Sequence, residues 1–599
     1  MELSILIAIA GVVLVVAVTT LAPRVRVAAP LLLVVLGIGI SFLPFVDAVE
    51  IEPEWILAGI LPPLLYSSAV GVKTMEFRRD LRVISAFSVV LVVVSAVVVG
   101  GLMSLLIPGL GWPLGIALGA IVSPTDAVAT SIVKKAGISP RIVTILDGES
   151  LLNDATALVL LRFAVAAIGA SVSVWWGAAT FLYAVVVAGL IGFAVGHLSL
   201  FVRARVGFVT GNVLISLTIP YVAYLPAEAL GASGLVAAVI AGLVAGNAGP
   251  RVLSAEVRVT TDAVWRTIEL VLESAIFLVM GLELFGLVIE VTEQHFSVGA
   301  AFGIGALVAT VVLAVRVVFV ALSLWSLKRR AARLEQSRGV LDRMEARLAD
   351  GILPALPDAG AGRPGDVPRS GPGAPLVGAV RRRRRLPTSA EQWERFQLML
   401  ARRRADLDYL ASERLGPREG TLLVAAGMRG AVTLAAAQTL PHGTPYRSLL
   451  ILVAFVVAAG TLLVQGGTLG PVARRLGLAG TAAPDPAAAD AVRVELNKAA
   501  VARLNDPALR RPDGTPFSAG FLEASRRQWD KLREVRDRAA EADLQAEFAD
   551  LRSIVLDAQR HELLRLRDIG SYPTGVLDDV LRQLDADQIG MQVRMGSGE

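Results

Sequence analysis

The chain has 599 residues, 54% hydrophobic and only 18% charged, with a mean hydropathy of +0.64 and a net charge of +5. The absence of cysteine excludes disulfides and thiolate metal sites, and four histidines leave no metal cluster. Its long apolar runs lack the period-two alternation of an outer-membrane barrel, so the expected class is an all-α membrane protein, each crossing taking about 20 residues.

The chain starts Met-Glu and enters an apolar segment at 3–22. A secretory signal would open with cations and end at a small-residue cleavage site, so this segment reads as a retained first span. Thirteen spans are expected, near 3–22, 29–46, 55–72, 83–107, 112–133, 142–169, 174–201, 206–226, 231–248, 264–289, 298–326, 419–440 and 448–471. The loops between them carry alternating charge. Odd-numbered loops hold Arg24 and Arg26; Lys73, Arg78, Arg79 and Arg82; Lys134, Lys135 and Arg141; Arg203 and Arg205; Arg251 and Arg258; then Lys328, Arg329 and Arg330, with Arg474 and Arg475 after the last span. Even-numbered loops hold Asp47, Glu50, Glu52, Glu54, Glu228, Glu290 and Glu293, and Arg447 is their clear cation. Cytoplasmic loops collect Lys and Arg, which places the N-terminus outside and the C-terminus in the cytoplasm.

Four regions follow: spans 1–11 over 1–326, a cytoplasmic insertion at 327–418, spans 12–13 over 419–475, and a tail at 476–599. The insertion reads as a charged helix, a Pro/Gly-rich linker around 351–379, the run Arg381 to Arg385, and a second charged helix from about 388 to 413. The tail is helical, with an amphipathic pattern interrupted by Gly-Ser-Tyr-Pro at 570–573. For the five arginines two readings stand, contact with anionic lipid head groups and a solvated linker charge run. No aromatic or folded context accompanies them, which argues against nucleic acid.

Ionisable groups inside spans cost about 2.5–3.5 kcal/mol each on insertion scales, so they are functional candidates. In the fifth span, Pro124 removes a backbone donor and pushes its predecessor towards extended backbone. The helix should break near Ser123–Asp126, freeing carbonyls and amides that can carry an ion's field, with the Thr125 hydroxyl and Asp126 carboxylate beside them. In the sixth span Ser150 and Asp154 share one helical face, and Glu149 and Asn153 an adjoining one. Asp154 lies roughly 18 Å along its span at 1.5 Å per residue, near the midplane and at a depth similar to Asp126. The two carboxylates are expected to meet at one site. In the twelfth span Arg429 needs a partner, and Glu149, off the Ser150/Asp154 face, is the expected one, in a structural pair holding two spans in register. The tenth span carries Glu269 and Glu273 at i, i+4, and Arg162 and Arg316 lie in the sixth and eleventh; pairing among these is expected but not assigned, with a structural role for the arginines.

SPTDAVAT, GESLLNDATALVL, GMRGAV and VQGGTLGPVARRL, in this order, together with LPPLLYSSA and VWRTIELVLESAIFLVMGLEL, resemble the sodium/proton exchanger (NhaP/NHE-type) branch of the monovalent cation:proton antiporters, over 1–326 and 419–475. The resemblance implies an antiporter fold of about 13 transmembrane helices with inverted repeats and broken crossing helices, in a dimer at the plasma membrane. It implies that Asp154 carries cation and proton in turn, that Thr125, Asp126 and Ser150 complete a Na⁺ site, that Asn153 marks the electroneutral type, and that no cofactor is needed. Two departures stand out. Tyr66, Ser67 and Ser68 occupy the place of the family's Phe-Glu-Ala, so that acid is missing, whereas Glu273 stands where the family more often has Asn. Glu273 is therefore expected to act as an auxiliary acid near the site. Whether Na⁺, Li⁺ or K⁺ is preferred stays open, with a K⁺/H⁺ antiporter of the same fold as the alternative.

Proton and cation would compete for one desolvated carboxylate, and only a neutralised site would cross, so no phosphate-binding loop or covalent chemistry is required. An intramembrane aspartyl protease would place Gly-Asp and Pro-Ala-Leu within spans, whereas here they lie at 365–366 and 354–356, in the insertion. A cation channel would pass ions without proton counter-movement. A transport-dead sensor would not need an intact Asp126, Asn153 and Asp154.

Overall fold

A computed structural model of the chain describes residues 2–25, 27–44, 52–168, 174–349, 390–413, 415–481, 486–518, 521–522 and 542–596. The Arg381–Arg385 run, the Pro/Gly linker and the Gly-Asp and Pro-Ala-Leu pairs lie outside these residues. The described residues are helical, without strands. Seven stretches are long and apolar enough to cross a bilayer unaided: Thr74–Leu106, Ala179–Arg203, Val209–Ala229, Gly234–Val252, Ala255–Glu293, Val298–Arg329 and Arg447–Arg475. The other expected segments are helices that are shorter, broken or rich in polar groups.

In chain order the helices that matter for the site begin with α1 (Glu2–Val25), α2 (Ala29–Ser41) and α3 (Leu61–Val70), which a π-helical turn at Trp55–Ile60 precedes. Next come α4 (Thr74–Ser85), α5 (Leu91–Leu106), α6 (Gly111–Ile121), α7 (Val128–Lys135) and α8 (Pro140–Ala166). Pro140 at the first position of α8 suits a helix start, where its missing N–H costs nothing. Then follow α9 (Val174–Arg203), α10 (Val209–Ala229), α11 (Gly234–Val252), α12 (Ala255–Leu282), α13 (Leu284–Glu293) and α14 (Val298–Ala349). The eleventh span and the first charged stretch of the insertion are thus one continuous helix of 52 residues.

The remainder comprises α15 (Ala390–Ser412), α16 (Pro417–Ala425), α17 (Ala431–Gln438), α18 (Arg447–Arg475), α19 (Pro486–Leu504), α20 (Ala542–Ile569) and α21 (Thr574–Gly596). The last three pack into a small core of their own around Leu496, Leu563, Leu577 and Val580.

The membrane helices form two groups. In one, α9, α10 and α3 pack on α11, and α2 packs along α12. In the other, α5 packs on α6, α4 and α6 on α8, and α14, α16 and α17 on α18. Helix α18 is the most enclosed span, 72% buried against its neighbours, so it serves as the axis of the second group. Residues of the third and ninth loops meet α15 and the tail on one face: Arg79 pairs with Asp406 at 2.6 Å, Tyr409 donates to Asp80 at 3.2 Å, and Arg251 pairs with Asp568.

Candidate ion-binding site

Two interrupted spans cross where the groups meet. The first breaks at 122–127, between α6 and α7, where Pro124 stands. The second breaks at 426–430, between α16 and α17, a stretch with no proline. The breaks pair with each other: the Asp126 N–H donates to the Met428 carbonyl at 3.0 Å. Each break leaves helix-terminal amides and carbonyls without intrahelical partners, which other groups must satisfy in a membrane.

Asp126 sits at the start of α7. Its Oδ1 accepts from the Val128 N–H at 3.0 Å, the position where a carboxylate meets the positive end of a helix. Its Oδ2 is buried and has no hydrogen-bond partner among the described residues. Gly430 makes room for this carboxylate: a Cβ there would stand 1.8 Å from Asp126 Oδ2.

Asp154 projects from α8 and is 4% exposed; its Oδ1 also lacks a hydrogen-bond partner among the described residues. The two aspartates are close enough for their charges to interact. Asn153, one position earlier, turns to the break and donates to the Ser123 carbonyl at 3.1 Å and to Thr125 Oγ1 at 3.2 Å, fixing α8 to the interrupted strand of chain. Thr125, Asp126, Ser150 and Asp154 all line one cavity of about 710 Å³ between the two helix groups.

The opposite wall of that cavity is α3 and α12, with Ser67, Glu269 and Glu273 among its lining residues. Glu273 lies near enough to Asp126 to feel its charge. Glu269 is the acid that reaches Ser67, accepting its hydroxyl at 3.3 Å. Ser67 of α3 is thus bonded to a carboxylate of α12, four residues before Glu273. From the sequence alone Glu269 has no assignable partner, because the contact between α3 and α12 has no local signature.

The expected Glu149–Arg429 pair is not formed. Glu149 is instead held by Arg316 of α14, which reaches both carboxylate oxygens, Nη2 at 2.9 Å and Nη1 closer still. Both side chains are 1% exposed. Arg316 also donates through Nε to the Leu423 carbonyl in the last turn of α16, at 2.9 Å. Arg429 has no ion pair among the described residues. Its Nε donates to the Val122 carbonyl at 2.9 Å, its Nη1 donates to the Gly427 carbonyl, and its N–H donates to Thr461 Oγ1 at 3.0 Å. The physical reason is the second break. Carbonyls at the C-terminal ends of α6 and α16 carry partial negative charge, and a guanidinium placed on them needs no carboxylate. Arg162 pairs with Glu228 at 2.9 Å.

The chain is similar to known proteins in sequence and in fold. Residues 11–340 match the family model described as sodium/hydrogen exchanger, transmembrane. The chain is 37% identical over 268 residues to an uncharacterized Na(+)/H(+) exchanger of Escherichia coli, covering 43% of this chain and 49% of that protein. It is 29% identical over 464 residues to one of Mycobacterium tuberculosis, covering 76% and 71%. A sodium, potassium, lithium and rubidium/H(+) antiporter of Bacillus subtilis is 30% identical over 43% of this chain and 39% of its own length. The matched part thus spans about half of some curated relatives and more of others. In fold, the solved structure of the sodium proton antiporter MjNhaP1 from Methanocaldococcus jannaschii superposes with a TM-score of 0.53 at 16% identity, over 81% of this chain and all of that one. With the family model matching more than half the chain, and crossed broken helices around a buried aspartate, the protein belongs to the sodium/hydrogen exchanger family, a family of membrane transporters rather than enzymes.

Proposed function

We propose that the chain exchanges Na⁺, or another monovalent cation, for H⁺ across the plasma membrane, with thirteen crossings, the N-terminus outside and the tail in the cytoplasm. Asp154 is the carrier. Asp126, Thr125 and Ser150 complete the ligand shell of the transported cation, and Asn153 holds the break in place. The observation that carries this reading is a pair of buried carboxylate oxygens without hydrogen-bond partners among the described residues, Asp154 Oδ1 and Asp126 Oδ2, beside a cavity large enough to admit ions. An acceptor left bare in the interior is costly unless a proton or cation occupies it.

The two ligands use the same oxygens, so they exclude one another. A proton and a monovalent cation each bring one positive charge to Asp154, and one displaces the other; this one-for-one swap supports electroneutral exchange. The empty, charged site is too costly to carry through the lipid interior, so the walls change sides only when it is loaded. Glu273, with Glu269, supplies an auxiliary acid on the facing wall in place of the one absent at Ser67.

The Bacillus relative's name gives a specific reason to test K⁺, Li⁺ and Rb⁺ beside Na⁺. A homodimer in the membrane, and anionic lipid at Arg381–Arg385, belong to the same proposal. The test is proton flux in sealed proteoliposomes, each cation offered in turn, for wild type and Asp154→Asn. Flux in the wild type and none in the variant is expected. Exchange that survives the substitution would refute Asp154 as carrier.

A further inference from the structure

The cavity that holds the two aspartates has a second polar end, on the face where the tail docks. There α9 finishes at Arg203, and α12 brings Arg258 and Thr261, three residues apart and so on one helical face. Thr261 stands twelve residues before Glu273 on α12, about 18 Å along the axis, well away from the breaks. Arg203 is 4% exposed and lines the cavity. Its Nη2 donates to Thr261 Oγ1 at 3.3 Å, and its Nε is buried with no hydrogen-bond partner among the described residues. Thr261 accepts that bond and makes none as a donor among the described residues, so its O–H also lacks an acceptor.

No carboxylate pairs with Arg203 among the described residues. The acids around this end are engaged elsewhere: Asp147 with Lys134 at 3.0 Å, Asp262 with Arg266, Glu269 with the Ser67 hydroxyl at 3.3 Å, and Asp585 with Arg258 and Arg560. The other deeply buried arginines differ, since Arg316 holds Glu149 and Arg429 caps two helix ends. A guanidinium taken out of water with one neutral partner is costly, and its bare donor calls for an acceptor from outside the chain.

We propose that Arg203 and Thr261 form a subsite for a phosphate-type oxyanion, separate from the cation site. The guanidinium fork suits two oxygens of such a group, and the Thr261 hydroxyl a third. Three donors aimed at three corners favour a tetrahedral anion over a flat carboxylate, and the cavity of about 710 Å³ has room for it. The charge of Arg258 is matched by Asp585, so Arg203 supplies the attraction. Two sources offer this chemistry. A soluble phosphate can enter through the cavity. A lipid head group can also reach Arg203, because Leu198, Phe201 and Val202, just before it on α9, are exposed apolar residues. The subsite uses neither Asp126 nor Asp154, so the inference goes beyond the proposed exchange and does not depend on it.

The test measures binding alone, on the full chain. In one arm the protein, in neutral detergent and phosphate-free buffer, is titrated with radiolabelled inorganic phosphate. In the other it is placed in nanodiscs of neutral lipid containing phosphatidylglycerol, and the lipid it retains is counted by native mass spectrometry. One saturable phosphate per chain, or one retained phosphatidylglycerol, is expected; the first names a soluble anion as the source, the second a head group, and displacement of the lipid by phosphate a shared seat. Arg203→Gln should abolish the binding. Arg203→Lys keeps the charge but loses the fork, and should weaken it about tenfold, as should loss of one bond to a charged group in Thr261→Val. Without ligand, Arg203→Gln should melt no lower than wild type, because it removes an uncompensated buried charge, and phosphate or the lipid should raise the melting temperature of wild type but not of the variant. Failure of wild type to bind either probe, or equal binding by Arg203→Gln and Arg203→Lys, overturns the subsite.

Discussion

Arg316 shows how a single side chain can tie the site together. From α14 it reaches Glu149 on α8 and the Leu423 carbonyl at the end of α16, so it joins the helix of Asp154 to a broken one. Removing one member of a buried ion pair leaves an uncompensated charge, at about 3–5 kcal/mol. Arg316→Met or Glu149→Leu should each cost that much, whereas the two together should recover most of it, as measured by thermal unfolding in detergent. A double variant no more stable than the singles would show that Leu423, not Glu149, is the partner that matters. Gly430 gives a second residue-scale prediction. Gly430→Ala must push the Asp126 carboxylate aside, so apparent cation affinity should fall about tenfold, near 1.4 kcal/mol, with the melting temperature little changed. Asp126 and Asp154 were legible in the sequence because a carboxylate in an apolar run has few reasons to be there. The partner of Glu149 was not, because several arginines lie at similar depth and only the packing of α14 selects among them.

The two broken helices differ in how openly the sequence declares them. Pro124 forbids a regular helix, so the first break could be placed within a residue or two. The second depends on tertiary contacts. Gly427 and Gly430 weaken the helix locally, but it is Asp126 N–H on the Met428 carbonyl, and Arg429 on the Val122 and Gly427 carbonyls, that hold it open. A mid-span arginine therefore read as a charge in need of a carboxylate, when it caps helix ends. Arg429→Met should leave two buried carbonyls bare, at about 1–3 kcal/mol each, and lower the melting temperature. Asn153→Ala removes the bonds to Ser123 and Thr125 and should cost a comparable amount. Flux in Asn153→Ala should fall more than the loss of stability explains, because the break would no longer be fixed to α8. Full flux in that variant would reduce Asn153 to packing.

At the scale of the molecule, the helical membrane class and alternating loop charge were plain from composition, since a bilayer imposes long apolar helices. The docking of the tail was not, because the contacts of Glu76, Arg79 and Arg258 with residues about five hundred and three hundred positions away have no local pattern. On the proposed exchange, competition for one carboxylate sets the behaviour of the whole transporter. Below the pKa of the cation-free site, each unit fall in pH should raise the apparent cation dissociation constant about tenfold, because a proton must leave for the cation to enter; above it the constant should be flat. Calorimetry in buffers of different ionisation enthalpy should then count one proton released per cation.

The continuous helix Val298–Ala349 has a mechanical meaning of its own. At 1.5 Å per residue it is about 78 Å long, more than twice a hydrocarbon core of about 30 Å. A rod without a hinge passes rotation and displacement along its axis, and Arg316 is fastened near the middle of this one. Whatever turns the outer end turns the residue that clasps Glu149, so a torque applied far out in the aqueous phase is delivered to the innermost charge pair of the protein.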